Sequence, residues 1–178
     1  MKREMASREK KPATRRRTSV EYVDEAAVSV QEYTPPKLDV PPPKGDSVNL
    51  GVLDVESVGC DESIGPAVSD AVRETLFSSG HHQVMDRSDM SKILLEQDFQ
   101  QSGRCDDMEC IVKAGKILAV QKMVAGKVAM LGSTYRITLK LVDVESAKVD
   151  KIASESCTCP KDQLFLVAET AAKRLLLP

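Results

Sequence analysis

The sequence has no tryptophan, and three Phe and three Tyr bring aromatics to only 3% of its 178 residues. A core must therefore be filled by Leu, Val, Ile, Ala and Met, and a hydrophobic content of 42% is enough for one. No apolar run approaches the roughly 20 residues that a bilayer-spanning helix needs. No basic stretch followed by an apolar one marks a signal peptide, so the chain reads either as cytoplasmic or as one whose leader was removed by processing. The Gly-x-Gly-x-x-Gly, P-loop, Gly-x-Ser-x-Gly and His-Glu-x-x-His patterns are all missing, and no nucleophile motif surrounds any cysteine. The expectation is a protein that is not an enzyme and that needs neither cofactor nor metal.

Charge is present but unevenly spread. Residues 1–20 hold eight Lys/Arg and two Glu, a net of +6, and with −2 for the whole chain the remainder carries −8. Arg15, Arg16 and Arg17 precede an acidic patch at Glu21, Asp24 and Glu25, and then come Pro35, Pro36, Pro41, Pro42 and Pro43. Prolines this dense favour polyproline II and cannot join a sheet ladder, so residues 1–46 are expected to be a disordered tether, basic and then Pro-rich. The first 20 residues contain no aromatic. Base stacking is then unsupported, and nucleic acid is not an expected partner beyond phosphate contacts.

Residues 47–178 are patterned for an α/β domain. Val48 to Val55 is apolar enough for a buried strand, and Gly65 to Ser79 repeats apolar residues at helical steps, closed by Gly80. Gln83 to Asp86 reads as a short strand, and Ser88 as the N-cap of a helix with Met90, Ile93 and Leu94 on one face. Asp106 or Asp107 starts a third helix with Met108, Ile111, Val112, Gly115 and Leu118 as its stripe. Lys122 to Leu131 and Thr134 to Val144 flank Gly132-Ser133, a Gly-first pair suited to a type II′ hairpin. Tyr135, Ile137, Leu139 and Leu141 alternate there with Thr134, Arg136, Thr138 and Lys140, one dry face and one wet face. Val149 to Cys157 is the next strand, and Pro160 opens a closing helix striped by Leu164, Val167, Ala168, Ala171, Ala172 and Leu175. The expected order is β-α-β-α-α-β-β-β-α, a mixed β-sheet packed with helices.

The runs Val84-Met85-Asp86-Arg87 and Ile93-Leu94-Leu95-Glu96-Gln97, then Gly115-Lys116-Ile117-Leu118 and Val124-Ala125-Gly126-Lys127-Val128, resemble the CsgG-like family of curli assembly. Leu131-Gly132-Ser133-Thr134-Tyr135 and Leu141-Val142-Asp143-Val144-Glu145 continue the similarity, which spans about residues 48–176. TolB N-terminal-like domains and LpoB-type activators of penicillin-binding proteins share that fold. The resemblance implies an extracytoplasmic bacterial adaptor, often lipid-tethered to the outer membrane and sometimes a homo-oligomeric ring. It also implies a structural role for Arg87, Glu96, Gln97, Gly126, Tyr135 and Asp143. Arg87 and Glu96 are read as serving an ion pair or helix-end contacts. The hairpin loops are too tight for the extra strands with which pore-forming members build a barrel, so pore formation is not expected. The lipidated N-terminal cysteine of such proteins has no counterpart, because the first cysteine is Cys60.

Relatives in that family also carry a pair like Cys105 and Cys110, which in an oxidising compartment could close a small loop. Two unpaired thiols, or a zinc site drawing on Cys157 and Cys159 as well, remain open at this point, and Cys60 is the odd thiol. His81 and His82 are adjacent in a loop and point different ways, so they are read as surface residues. Asp86, Asp89, Asp106 and Asp107 read as caps and helix-dipole partners, and Asp143 and Glu145 as turn residues.

Three functions are compared. The first is a cell-envelope adaptor, periplasmic or outer-membrane-associated, docking to envelope proteins or to copies of itself. The second is a cytoplasmic interaction module whose basic tail binds nucleic acid or an anionic surface. The third is a small hydrolase or redox protein using Cys157-Thr158-Cys159. For docking, the candidates are Phe99, in the polar loop from Gln97 to Cys110, and the hairpin tip at Leu131, Gly132 and Ser133.

Overall fold

A computed structural model describes residues 31–43, 47–99, 105 and 107–178. The order is β1 (Val48–Val52), β2 (Glu56–Val58), α1 (Ile64–Ser78), β3 (His82–Val84), α2 (Arg87–Glu96), α3 (Met108–Ile117), β4 (Lys122–Leu131), β5 (Thr134–Asp143), β6 (Lys148–Cys157), a 3-10 turn at Lys161–Gln163 and α4 (Leu164–Leu176). One mixed sheet runs β3-β1-β4-β5-β6, with β2 also pairing β4. β1 is parallel to both β3 and β4, while β4, β5 and β6 form an antiparallel meander. The α/β class and the element sequence are those expected, with one strand more.

That extra strand comes from a break in the stretch read as Val48 to Val55. After β1 the chain leaves the ladder, and the Val55 N–H donates to Ser69 Oγ at 2.7 Å. Ser69 is fully buried in α1 and returns its own proton to the Gly65 carbonyl at 2.8 Å. A Cβ on Gly65 would lie 2.0 Å from the Val55 carbonyl oxygen, so only glycine lets the start of α1 come this close. The ladder resumes at β2 because the side chain of a helix has taken over the missing strand bond.

The sheet has helices on both sides. Leu50, Val52, Val124, Val128, Ile137 and Leu139 meet the apolar stripes of α1 and α4 in one core. Met123, Ala125 and Val142 meet α2 and α3 in a second core on the opposite face. The stripe foreseen in the closing helix is buried throughout: Leu164, Val167, Ala168, Ala171, Ala172 and Leu175 are each under one-tenth exposed. Pro160 precedes the 3-10 turn, one turn before α4 itself begins.

Caps correct one reading. The N-cap of α2 is Asp86, whose carboxylate accepts from the Ser88 N–H at 2.7 Å and from the Ser88 hydroxyl at 2.6 Å. Both residue types cap well, and the carboxylate takes the position because it accepts two bonds at once. Asp107 caps α3 as anticipated, accepting from the Cys110 N–H at 2.8 Å. Asp106 lies outside the described residues.

Residues 1–30 and 44–46 of the expected tether also lie outside them. Residues 31–43 have no helix or strand, yet they are held against the domain rather than standing free of it. The Gln31 N–H donates to the Thr158 carbonyl at 3.0 Å, and the Tyr33 N–H to Gln163 Oε1 at 2.6 Å. Tyr33 packs on the α1–α4 core, and Val40 to Pro43 reach the groove between these helices. Five of the thirteen strap residues are prolines, which bring no N–H to be satisfied where they lie against the helices.

Candidate docking surface and the cysteine pairs

The hairpin is as tight as its sequence suggests. Leu131 pairs directly with Thr134, and Gly132 has φ of +61°, the left-handed start that a Gly-first turn needs. The Leu131 side chain is 87% exposed. Gly132 and Ser133 are exposed beside it. An apolar side chain is thus presented on a rigid two-residue turn, where the fold gains little from it.

Phe99 is placed elsewhere. α2 ends with Asp98 at φ of +49°, the Asp98 N–H donating to Leu95 O at 3.1 Å and the Phe99 N–H to Leu94 O at 2.9 Å. This is a Schellman closure, and it returns the residue after the left-handed one onto the helix. Phe99 is half-buried on the α2–α3 core, with Lys113 Nζ 5.8 Å from its ring centre. Part of the ring is thus engaged in packing, unlike the Leu131 side chain.

The residues carried by the resemblance take structural places. Arg87 Nη2 lies 2.7 Å from Asp54 Oδ2, and Nη1 lies 3.4 Å from Asp70 Oδ2. Its partners are therefore the segment after β1 and the side of α1, an exposed ion pair at the start of α2, while Glu96 is the last residue of that helix and is exposed at its far end. Gln97 is exposed beside it. A Cβ on Gly126 would sit 2.4 Å from the Thr138 carbonyl oxygen and 2.8 Å from Leu139 Cδ2, so this position in β4 admits no side chain without a shift. Tyr135 is buried in the α1–α4 core.

Asp143 accepts from the Ser146 N–H at 2.7 Å, from Lys122 Nζ at 2.9 Å and from Ser146 Oγ at 2.7 Å. These bonds hold its carboxyl well below the usual carboxylate range. Lys122 reaches Asp150 as well, because the ladder skips from Leu141↔Lys151 to Val142↔Val149 and a bulge frees the residue between. Burial lowers the Lys122 pKa, but hydrogen bonds to Asp150 and Asp143 outweigh it and the net movement is upward. Burial pushes the His82 ring below its ordinary value, helped by His81 and Lys122. The two imidazole centres are 6.5 Å apart and tilted.

Cys105 and Cys110 form a disulfide, with Cα atoms 5.4 Å apart, at the entrance to α3. Cys157 and Cys159 form a second one at the end of β6, Cα atoms 5.2 Å apart. That pairing replaces the zinc alternative and takes both cysteines out of the hydrolase or redox reading as free thiols. Cys60 is free and half-buried, its Sγ 3.7 Å from the Val128 carbonyl oxygen. Among the described residues no group of three or more His, Cys, Asp or Glu is arranged to hold a metal ion.

Two surfaces were not anticipated from the sequence. The strap, α1 and α4 enclose a groove of about 770 Å³, lined by Pro41, Pro43, Ala71, Phe165 and Leu176 among others. On the other side of the sheet, α2 and α3 cover only the end bearing Met123, Ala125 and Val142. The rest of β4, β5 and β6 is bare there, where Lys127, Arg136 and Ile152 are exposed and alternate with buried Val128, Ile137 and Ala153. Alternation in each strand hinted at this face. Nothing in the sequence showed which part of it the helices would leave open.

Residues 54–138 match the family model of CsgG, the curli production assembly/transport component. This stretch is CsgG-like. It runs from Asp54, the partner of Arg87, to the middle of β5, and so contains the crossover helices and the hairpin tip. The LpoB C-terminal domain of Salmonella enterica overlays at TM-score 0.53 with 9% identity, over 64% of this chain and 86% of that one. LpoB of Escherichia coli overlays at 0.51 with 13% identity, over 85% of this chain and 93% of that one. At such identities the likeness is one of fold. No curated protein gives a significant match to the chain.

Proposed function

We propose that this protein is a non-enzymatic adaptor of the bacterial cell envelope, docking to envelope proteins or to copies of itself through the face that carries the β4–β5 hairpin tip. The observation that carries the reading is Leu131, 87% exposed on a turn fixed by Gly132, within the CsgG-like stretch. An exposed apolar side chain on a rigid support loses little conformational freedom on binding, which is what a docking anchor requires. The three acids whose pKa values fall have structural partners that account for the shift: Ser146 and Lys122 for Asp143, Ser88 for Asp86, Ser63 for Asp61. The match to an assembly/transport component supports an envelope setting. Periplasmic or outer-membrane-associated residence belongs to the same proposal.

A photo-crosslinking residue at position 131, in the protein expressed in its source bacterium, tests this. The expected result is a discrete adduct with an envelope protein or with a second copy, not formed from the exposed turn position Glu145. Adducts equal at both positions, or a protein found wholly in the cytosolic fraction, would overturn it.

A further inference from the structure

β6 is the outer strand of the meander and is ten residues long, whereas β3, at the other edge of the sheet, has three. Which of its backbone groups face outward follows from the hairpin. A two-residue turn makes Leu131↔Thr134 a hydrogen-bonded pair, so the even-numbered residues of β5 bond to β4. The Val144 N–H, which donates to the Gln121 carbonyl at 3.0 Å, keeps that parity beyond the strand. The odd-numbered residues bond to β6, through Ile137↔Glu155, Leu139↔Ala153 and Leu141↔Lys151. Ile152, Ser154 and Ser156 therefore turn N–H and C=O away from the sheet, and no backbone group among the described residues meets them.

Long open edges are usually defended by bulges, charges or a covering segment. In β6 the bulge and the cover sit at the two ends. The bulge is at Asp150, and the strap closes the other end where the Gln31 N–H meets the Thr158 carbonyl. Between them Lys151 to Ser156 runs without a proline or a break in register. Ile152 is 61% exposed there. Lys151 has no ion-pair partner among the described residues, and Glu155 has Arg174, whose Nε lies 2.8 Å from Oε2.

We propose that this stretch is a self-pairing edge: the β6 strands of two copies align antiparallel about a two-fold axis at Ala153, continuing the sheet from one molecule into the other. Charge selects the register. With the axis at Ala153, Lys151 stands opposite Glu155 of the second copy, twice over by symmetry, and each Glu155 lies between its own Arg174 and a lysine of the other chain. Centring on Ile152 or Ser154 instead sets Lys151 opposite Ala153 or Cys157. Centring on Lys151 or Glu155 sets like charges face to face, which destabilises a strand pair. At the Ala153 axis, Ile152 and Ser154 exchange both of their outward backbone bonds across the interface. The two Ile152 side chains become diagonal neighbours on the bare face. Because the same edge is used by both molecules, the assembly closes at a dimer. It uses the sheet edge rather than the hairpin tip, and it holds whether or not Leu131 anchors a partner.

Sedimentation equilibrium of the full chain tests this, from roughly 10 µM to 1 mM because so small a contact associates weakly. The parent is expected to pass from monomer to dimer in that range. Ile152→Lys places two like charges diagonally across the axis, and Ser154→Pro removes an outward N–H; each is expected to weaken association at least about tenfold. Leu131→Ala is expected to leave it unchanged. Amide exchange read by NMR locates the contact: the Ile152 and Ser154 amides should gain protection as concentration rises, while those of Lys151, Ala153 and Glu155 are protected throughout. A parent that stays monomeric at the highest concentration, growth past the dimer, or Ile152→Lys associating as the parent does would overturn the proposal. So would a Leu131→Ala chain that no longer associates, because self-contact would then belong to the hairpin tip. If Ser154→Pro unfolds on losing its 3.2 Å hydroxyl contact with Thr138, Ile152→Lys gives the same reading with that contact intact.

Discussion

The N–H of Phe99 donates to the carbonyl of Leu94 across 2.9 Å, closing α2 with a non-glycine residue, Asp98, in the left-handed region. That bond folds the phenyl ring back onto the α2–α3 core and separates two residues that their loop positions had grouped as docking candidates. Phe99→Ala is expected to destabilise the domain by about 1–3 kcal/mol, below the range for a fully buried Phe because the ring is half-buried. Leu131→Ala should stay within about 0.5 kcal/mol of the parent. Urea denaturation followed by circular dichroism separates the two, and equal losses would contradict the placement.

A methyl group at position 126 has no room. Its carbon would lie 2.4 Å from the Thr138 carbonyl oxygen, a backbone atom tied into the β4–β5 ladder. Gly126→Ala should therefore cost about 1–3 kcal/mol in the same denaturation experiment, by forcing a shift in a packed strand.

α3 closes as α2 does. Ala119 has φ of +51°, with its N–H donating to Lys116 O at 3.2 Å and the Val120 N–H to Gly115 O at 3.1 Å. Glycine fits that conformation without the Cβ conflict. Ala119→Gly is expected to stabilise the domain by about 1 kcal/mol, an increase in melting temperature that scanning calorimetry would record.

Acid should weaken the fold in a defined way. Because Asp143 is held below its ordinary value by Ser146 and Lys122, its contribution is fully present above the unfolded carboxylate pKa. It is lost as the pH falls from about 4 toward the folded value. The stability gap between the parent and Asp143→Asn should therefore be largest near neutrality and shrink below that pH, in urea titrations at stepped pH. A gap constant across the acid range would show that the carboxylate is not the source.

Non-reducing peptide mapping of protein taken from its native compartment should recover Cys105 linked to Cys110 and Cys157 linked to Cys159, with Cys60 alone alkylated. Free alkylation of all five would remove the support that the disulfides lend to an oxidising compartment.

Local patterns were the legible part of this chain. The alternation from Tyr135 to Leu141, the Gly132-Ser133 turn and the stripe from Leu164 to Leu175 each lie within one element, and each is where its period places it. Illegible features depend on contacts distant in sequence. The split between β1 and β2 requires Ser69, 14 residues beyond Val55. Arg87 chooses Asp54, 33 residues back, over Glu96 in its own helix, because a straight helix holds its first and last residues apart. Phe99 hid behind an aspartate that occupies a glycine-type position. The bare sheet face hid because alternation marks a side as wet and says nothing of which helix will cover it.

The strap also decides where tension on the upstream chain is felt. Load arriving from the N-terminal side meets the Gln31–Thr158 and Tyr33–Gln163 bonds at the end of β6 before it reaches β1. Those bonds act one after another, like the teeth of a zip, so they yield at lower force than a sheet sheared along its whole length. Peeling residues 31–43 releases roughly 45 Å of contour while every strand stays paired. The chain can thus lengthen under load before the domain itself is strained.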